Sequence, residues 1–303
     1  MVIGVRVLRV AAMGVGALGG LSGATYKLLT DQSRRARLVI GVQEDPPPCA
    51  DGFHRTDGVP DSPGEPLRFA VLGDSMAAGV GVDRADELPG VLLARGLAAE
   101  AERPVRLETH AVSGSTTRTL PRQVDRVLQD PPDVALVIVG ANDVTSRMAA
   151  GVSAALLGVE VRRLRAAGIG VVVGTCPDLG AVRLLAQPLR SVARTWSLNL
   201  ARAQRREVLR AGGVPVPLAD LLAPEFLTRP TEMFSADGFH PSAAGYVRAA
   251  EVLLAPLCTV AGVWRGGPLP VLPRRSAAAE ARRPTTRFVA WLNRSARHLP
   301  PAG

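Results

Sequence analysis

From residue 67 onward, apolar residues come in short unbroken runs separated by longer stretches of helical period. Leu67–Leu72, Val105–Leu107, Val134–Val139, Ile169–Val173 and Val214–Leu218 read as strands. Leu88–Ala101, Leu120–Leu128, Val152–Ala167 and Arg190–Leu209 read as the helices between them. Ser242–Leu257 closes the series, with Ser242 as its N-cap. Val134–Val139 has no polar position, which is the mark of a strand covered on both faces. Strands alternating with helices predict an α/β fold built on a doubly wound parallel sheet of about five strands.

The flanks break this rhythm. Arg6 and Arg9 precede an uncharged apolar run from Val10 to Tyr26, and Ser22-Gly23-Ala24 has the small residues of a cleavage site. Residues 1–26 are therefore expected to be a signal peptide or membrane anchor of an exported protein, either associated with the cell envelope or secreted. A helix packed on the domain is the competing reading. Residues 27–66 are expected to be a linker. From 44 on, Pro46-Pro47-Pro48, Asp51-Gly52, Asp57-Gly58, Pro60, Pro63-Gly64 and Pro66 exclude helix and central strand. The folded domain is expected over 67–262, followed by a basic tail, 263–303. In that tail Phe288, Trp291, Leu292, Ala296 and Leu299 fall near one helical face, with Arg287, Arg294 and Arg297 elsewhere. That pattern suits an amphipathic helix lying on an anionic membrane surface.

Charge follows the same division. Of the formal +9, residues 66–262 contribute little, with 21 basic and 19 acidic residues, whereas 263–303 hold 8 arginines and Glu280 as the single acid. A nearly neutral middle excludes a nucleic-acid-binding core, which needs a basic patch of its own. Cys49, Cys176 and Cys258 match no zinc spacing. Cys176 ends a predicted buried strand and reads as apolar filler. A Cys49–Cys258 disulfide stays open at this level.

Four polar blocks interrupt the apolar pattern, each after a predicted strand or before a helix. They are Gly73-Asp74-Ser75, Ser113-Gly114-Ser115-Thr116, Gly140-Ala141-Asn142-Asp143 and Asp237-Gly238-Phe239-His240-Pro241. In a parallel sheet these places converge on one edge. Together they supply what acyl transfer needs. The Ser75 hydroxyl is a weak nucleophile until a base removes its proton. His240 is the candidate base, since imidazole changes charge near neutrality. Asp237, three residues earlier, can fix the imidazole tautomer. The backbone N–H groups of Ser75 and Gly114 and the side-chain amide of Asn142 are candidate oxyanion donors. Asp74 is expected to structure the turn, Asp143 to cap its loop, and Asp178 to cap the following helix. His54, His110 and His298 are expected to be structural or exposed.

These blocks resemble those of the SGNH hydrolases, the GDSL-type esterases and lipases, across about residues 67–258. The Ser, Gly, Asn and His of that name stand here as Ser75, Gly114, Asn142 and His240. The resemblance implies a flavodoxin-like three-layer α/β/α sandwich, an Asp at position 237, and no metal or cofactor. The overall layout is similar to exported GDSL esterases of actinobacteria. Met76 replaces the motif's leucine, and Thr109 stands where an asparagine often supports the second block. The implied activity is hydrolysis of short- to medium-chain acyl esters or lysophospholipids. The alternatives are an O-acetylesterase acting on envelope polysaccharide or peptidoglycan, and a non-catalytic envelope-binding protein. Met148, Leu184, Leu185 and Phe234 favour an acyl chain over a sugar. A monomer is expected.

Overall fold

The computed structural model describes residues 23–41, 47–55, 65–264 and 266. The start of the expected targeting segment, His298 and the expected tail helix lie outside the described residues. The chain opens with a helix over 23–40 (α1). Then come β1 (Gly52–His54), β2 (Leu67–Gly73), α2 (Ser75–Ala78), α3 (Pro89–Ala101), β3 (Val105–Thr109) and α4 (Leu120–Val127). The middle of the domain is β4 (Val134–Ile138), α5 (Ala141–Thr145), α6 (Ala150–Ala166), β5 (Gly170–Gly174) and α7 (Leu189–Arg210). It ends with β6 (Val214–Val216), three short helices α8 (Leu218–Leu221), α9 (Ala223–Thr228) and α10 (Pro230–Met233), and the long α11 (Ala243–Val260).

The sheet has six strands in the order β1-β3-β2-β4-β5-β6. All neighbours pair in parallel except β1 with β3. The chain leaves β2 toward β3 on one side and returns to β4 on the other. The carboxyl ends of β2, β3 and β4 therefore frame a crevice, the usual ligand position in such folds.

Strand periodicity sorts the core into two halves. Leu67, Phe69 and Val71 of β2 join Leu93 and Leu97 of α3 and Tyr246 and Leu253 of α11. Ala70 and Leu72, one residue out of phase, join Leu120 and Val124 of α4, Leu157 and Val161 of α6, and Val208 of α7. This is the expected three-layer sandwich. Each fully buried Leu or Val on either face contributes roughly 1.5–3 kcal/mol. The apolar length of α11 would suit a membrane span, but Tyr246, Leu253 and Leu257 lie fully inside this core.

The sheet is one strand wider than the five expected. Gly52, Phe53 and His54 pair antiparallel with Leu107, Arg106 and Val105, and Asp51 Oδ1 accepts the Thr109 N–H at 2.9 Å. Three residues between Pro48 and the next proline cluster show no alternation, and an edge position is where such a segment can still pair. Helix α1 likewise occupies part of the stretch expected as linker. Strand β6 stops at Val216 because Pro217 and Leu218 begin the next turn. The three cysteines are free thiols, Cys49 exposed and Cys176 and Cys258 buried, so no Cys49–Cys258 bridge forms.

Candidate active site

Strand β2 must end against β4. Gly73 sits at φ 137°, and a Cβ there would lie 1.8 Å from the Ile138 carbonyl oxygen. Only glycine turns here. Asp74 then caps α2, its Oδ1 accepting the Met76 N–H at 3.1 Å. Ser75 becomes the first residue of that helix, so its N–H has no intrahelical acceptor. Asp74 is fully enclosed. Burial pushes its carboxyl pKa up to about 7, against the opposing pull of the Met76 and Gly140 N–H groups.

The turn before α11 brings the other partners. His240 Nε2 lies 3.0 Å from Ser75 Oγ, and His240 Nδ1 lies 2.5 Å from Asp237 Oδ2. Asp237 Oδ1 accepts from the Ser235 hydroxyl at 2.8 Å and from the N–H groups of Phe239 and His240 at 2.7 and 2.9 Å. Burial alone would raise the Asp237 pKa. The bonds from His240, the two backbone N–H groups and Ser235 outweigh it and hold the carboxyl well below the usual range. An ionised carboxylate only accepts, so Nδ1 carries the proton and Nε2 turns its lone pair to the serine hydroxyl. Gly81, at φ 106°, lets the chain pass this turn; a Cβ there would come within 2.5 Å of the Pro241 carbonyl. The buried Tyr246 hydroxyl donates to Val80 O at 2.7 Å, tying α11 to the turn behind the serine.

The second and third blocks are laced together beside them. Asn142 Nδ2 donates to Ser115 O at 3.0 Å, and Asp143 Oδ1 accepts from the Thr117 N–H at 3.1 Å and hydroxyl at 2.9 Å. Gly114 is exposed, at φ 80°, with open space where a Cβ would be. Asp143 thus ties one loop to the other rather than capping only its own. Asp178 caps the 3-10 turn Leu179–Ala181 through Gly180 N–H and also lines the cavity. His54 bonds Ala50 O, and His110 pairs with Glu108.

Ser75 and His240 line a cavity that opens to solvent. Its wall is largely apolar, with Leu179, Val182, Leu222, Phe226, Phe234 and Phe239 among its residues. Phe226 and Phe234 meet edge to face at 4.9 Å. Of the four loop residues expected to favour an acyl chain, only Phe234 lines it. Leu184 and Leu185 pack behind the wall, and Met148 lies against Thr117.

With this geometry in view, the relatives are informative. The sequence pattern of the GDSL-like lipase/acylhydrolase family matches residues 71–248. The chain belongs to that family. It is 46% identical to the GDSL-like esterase Rv1075c of Mycobacterium tuberculosis over 256 residues, 80% of this chain and 81% of that one. Among solved structures it is similar to TesA, with a TM-score of 0.54 at 22% identity, covering 64% of this chain and 99% of the other. It is also similar to a lipase/acylhydrolase from Enterococcus faecalis, with a TM-score of 0.52 at 20% identity, covering 65% and 96%. Likeness at that identity speaks for the shared fold. The family and the esterase relative make this chain a carboxylic ester hydrolase.

Two residues that support the site in this GDSL-like esterase are not evident from the motifs. Gln123 of α4 holds both backbone groups of Gly73, accepting from its N–H at 2.7 Å and donating to its carbonyl at 2.9 Å, and reaches Ser115 Oγ. Gln204 of α7 accepts from Cys176 N–H and donates to Val139 O, joining the ends of β5 and β4. Both are buried. Their signal in the sequence is a polar residue inside an apolar helical stripe, such as Gln123 among Leu120, Val124 and Val127.

Proposed function

We propose that this esterase cleaves short- to medium-chain acyl esters, lysophospholipids included, through an acyl-enzyme on Ser75. The observation that carries the reading is the Ser75–His240–Asp237 hydrogen-bond chain at an apolar cavity. Ser75 Oγ attacks the ester carbonyl carbon while His240 Nε2 takes its proton. The carbonyl oxygen becomes an oxyanion facing three donors, the N–H groups of Ser75 and Gly114 and the Asn142 amide. Asn142 spends one N–H on Ser115 O and keeps the second for the substrate. His240 then returns the proton to the leaving alcohol. Water repeats the cycle against the acyl-enzyme and frees the acid. Asp237, held ionised, stabilises the imidazolium in both halves.

The apolar lining supports an acyl chain over the alternative of an acetyl group on envelope polysaccharide or peptidoglycan. The uncharged run before Tyr26 supports export to the cell envelope, and the arginine-rich tail supports contact with an anionic membrane. The test of substrate class uses the full chain and its Ser75→Ala variant against p-nitrophenyl esters from acetate to palmitate, with an acetylated glycan beside them. The expected result is an optimum at a chain longer than acetate, as an apolar lining favours, and no turnover by the variant. Acetate release from glycan with no turnover of longer esters would replace this reading by the acetylesterase.

A further inference from the structure

Helix α1 precedes the catalytic domain and takes no part in any of the four blocks, yet it is fastened to the loops that shape the site. Its inward stripe is Leu29, Gln32, Ser33, Ala36 and Ile40, all partly or fully buried and spaced at helical intervals. Lys27, Arg34, Arg35 and Leu38 face outward and are exposed.

Three attachments hold the stripe in place. Gln32 Nε2 donates to Gln187 O at 2.7 Å, and Gln32 Oε1 accepts the Leu189 N–H at 3.1 Å. Both groups lie where the loop after β5 enters α7. Ala36, 6% exposed, sits in one apolar cluster with Leu179, Val182, Leu185, Phe234 and Phe239. Four of these, Leu179, Val182, Phe234 and Phe239, also line the acyl cavity. The third attachment is to the end of α5 and the turn after it. Arg37 donates to Thr145 O at 3.3 Å, and the Arg147 guanidinium lies 5.4 Å from the centre of the Tyr26 ring.

The Gln32 contacts repeat a device already used twice under the catalytic edge. Gln123 and Gln204 each hold backbone groups at strand ends, and Gln32 does the same where the loop leaving the cavity enters α7. The segment from Pro177 to Leu189, whose first part lines the cavity, contains only one 3-10 turn and no strand, so its own hydrogen bonds fix little of it. A loop of this kind takes its shape from what packs behind it.

We propose that α1 is a working part of the acyl site: Gln32 and Ala36 act as positioning residues that hold the 177–189 segment, and through it the cavity-lining residues Leu179 and Val182, and so set which acyl chains the enzyme accepts. The inference rests on the esterase reading above. It assigns a role to the segment just after the targeting run, and cleavage after Ala24 would leave both residues in place.

The experiment measures kcat and KM of the full chain for acetate, butyrate and octanoate p-nitrophenyl esters, in the parent, Gln32→Met and Ala36→Arg. Gln32→Met keeps the volume and removes both hydrogen bonds. Ala36→Arg wedges the helix off its cluster. The expected result is a fall of about 10-fold in kcat/KM for octanoate, carried mainly by KM, with acetate changed by less than about 3-fold. Unchanged ratios between the three esters in Gln32→Met, in a parent that is active, would overturn the proposal. An equal loss on all three esters would overturn it too, since that is what general destabilisation gives. Gln32→Met carries the test alone if Ala36→Arg does not fold. A parent inactive on every ester would instead strike the acyl-ester reading on which the proposal stands.

Discussion

The proposed catalytic edge and acyl cavity touch at Ser75 and His240 but are built by opposite means. The edge is polar, and direction fixes it. Asp237 takes four hydrogen bonds at 2.5–2.9 Å, and Asp143 and Asn142 bind the neighbouring loop across to the third block. The cavity is apolar, and volume fixes it. Leu179, Val182, Phe226 and Phe234 stand on loops and short helices whose placement depends on packing partners. Hydrogen bonds fall off steeply with angle, whereas apolar contact is tolerant of direction. The reaction is therefore held rigidly and the substrate preference more loosely. Changes at the edge should scale turnover of all esters together. Changes at the cavity should alter their ratios.

Substitutions can break or sharpen this division. Asp237→Asn leaves a donor where the imidazole needs an acceptor, and kcat should drop about 10^3- to 10^4-fold for every chain length. Asn142→Ala removes one oxyanion donor and should cost about 100- to 1000-fold, again uniformly. A strong chain-length dependence in either variant, read from steady-state kinetics on the ester series, would blur the division. Asp74 lies on the boundary, capping the serine's helix and lining the cavity. Its folded pKa of about 7 stands above the ordinary carboxyl value of 3.8. Between those values the folded chain holds a proton that the unfolded chain has lost, so stability falls as pH rises from about 4 to about 7 and the loss is complete above that. Asp74→Asn removes the effect, and its stability relative to the parent should grow by roughly 2 kcal/mol or more from pH 4 to pH 8 in denaturant titrations. Equal differences at the two pH values would mean that Asp74 is ionised in the folded protein throughout. The smallest change belongs to the cavity. Phe226→Leu should raise the octanoate-to-acetate ratio by up to about 10-fold and leave acetate turnover nearly as it was.

The same division explains what could be read from the chain alone. Each proposed catalytic residue lies in a contiguous block after a strand or before a helix, so the blocks that hold Ser75, Asp237 and His240 could be picked out along the chain. The five parallel strands were legible for the same reason, each being an apolar run of its own. The cavity was not, because Leu222, Phe226 and Phe234 meet Leu179 and Val182 only after the sheet and α11 are assembled. Of the glutamine supports, the apolar setting was legible and the partner was not. Gln123 reaches 50 residues back to Gly73, and Gln32 reaches 155 residues forward to Gln187. Nothing local to a glutamine tells that its amide will meet a distant backbone. Strand β1 escaped because its three residues lie among glycines and prolines, and its pairing depends on the open edge of β3 rather than on its own pattern.

The central claim is that Ser75, activated by His240, carries the acyl group. Intact-mass and peptide mass spectrometry after brief exposure to a fluorophosphonate tests it directly. One adduct per chain is expected, on the peptide holding Ser75, absent from Ser75→Ala and slowed at least about 1000-fold in His240→Ala. An adduct on another residue, or labelling of Ser75 at the same rate without His240, would contradict the account.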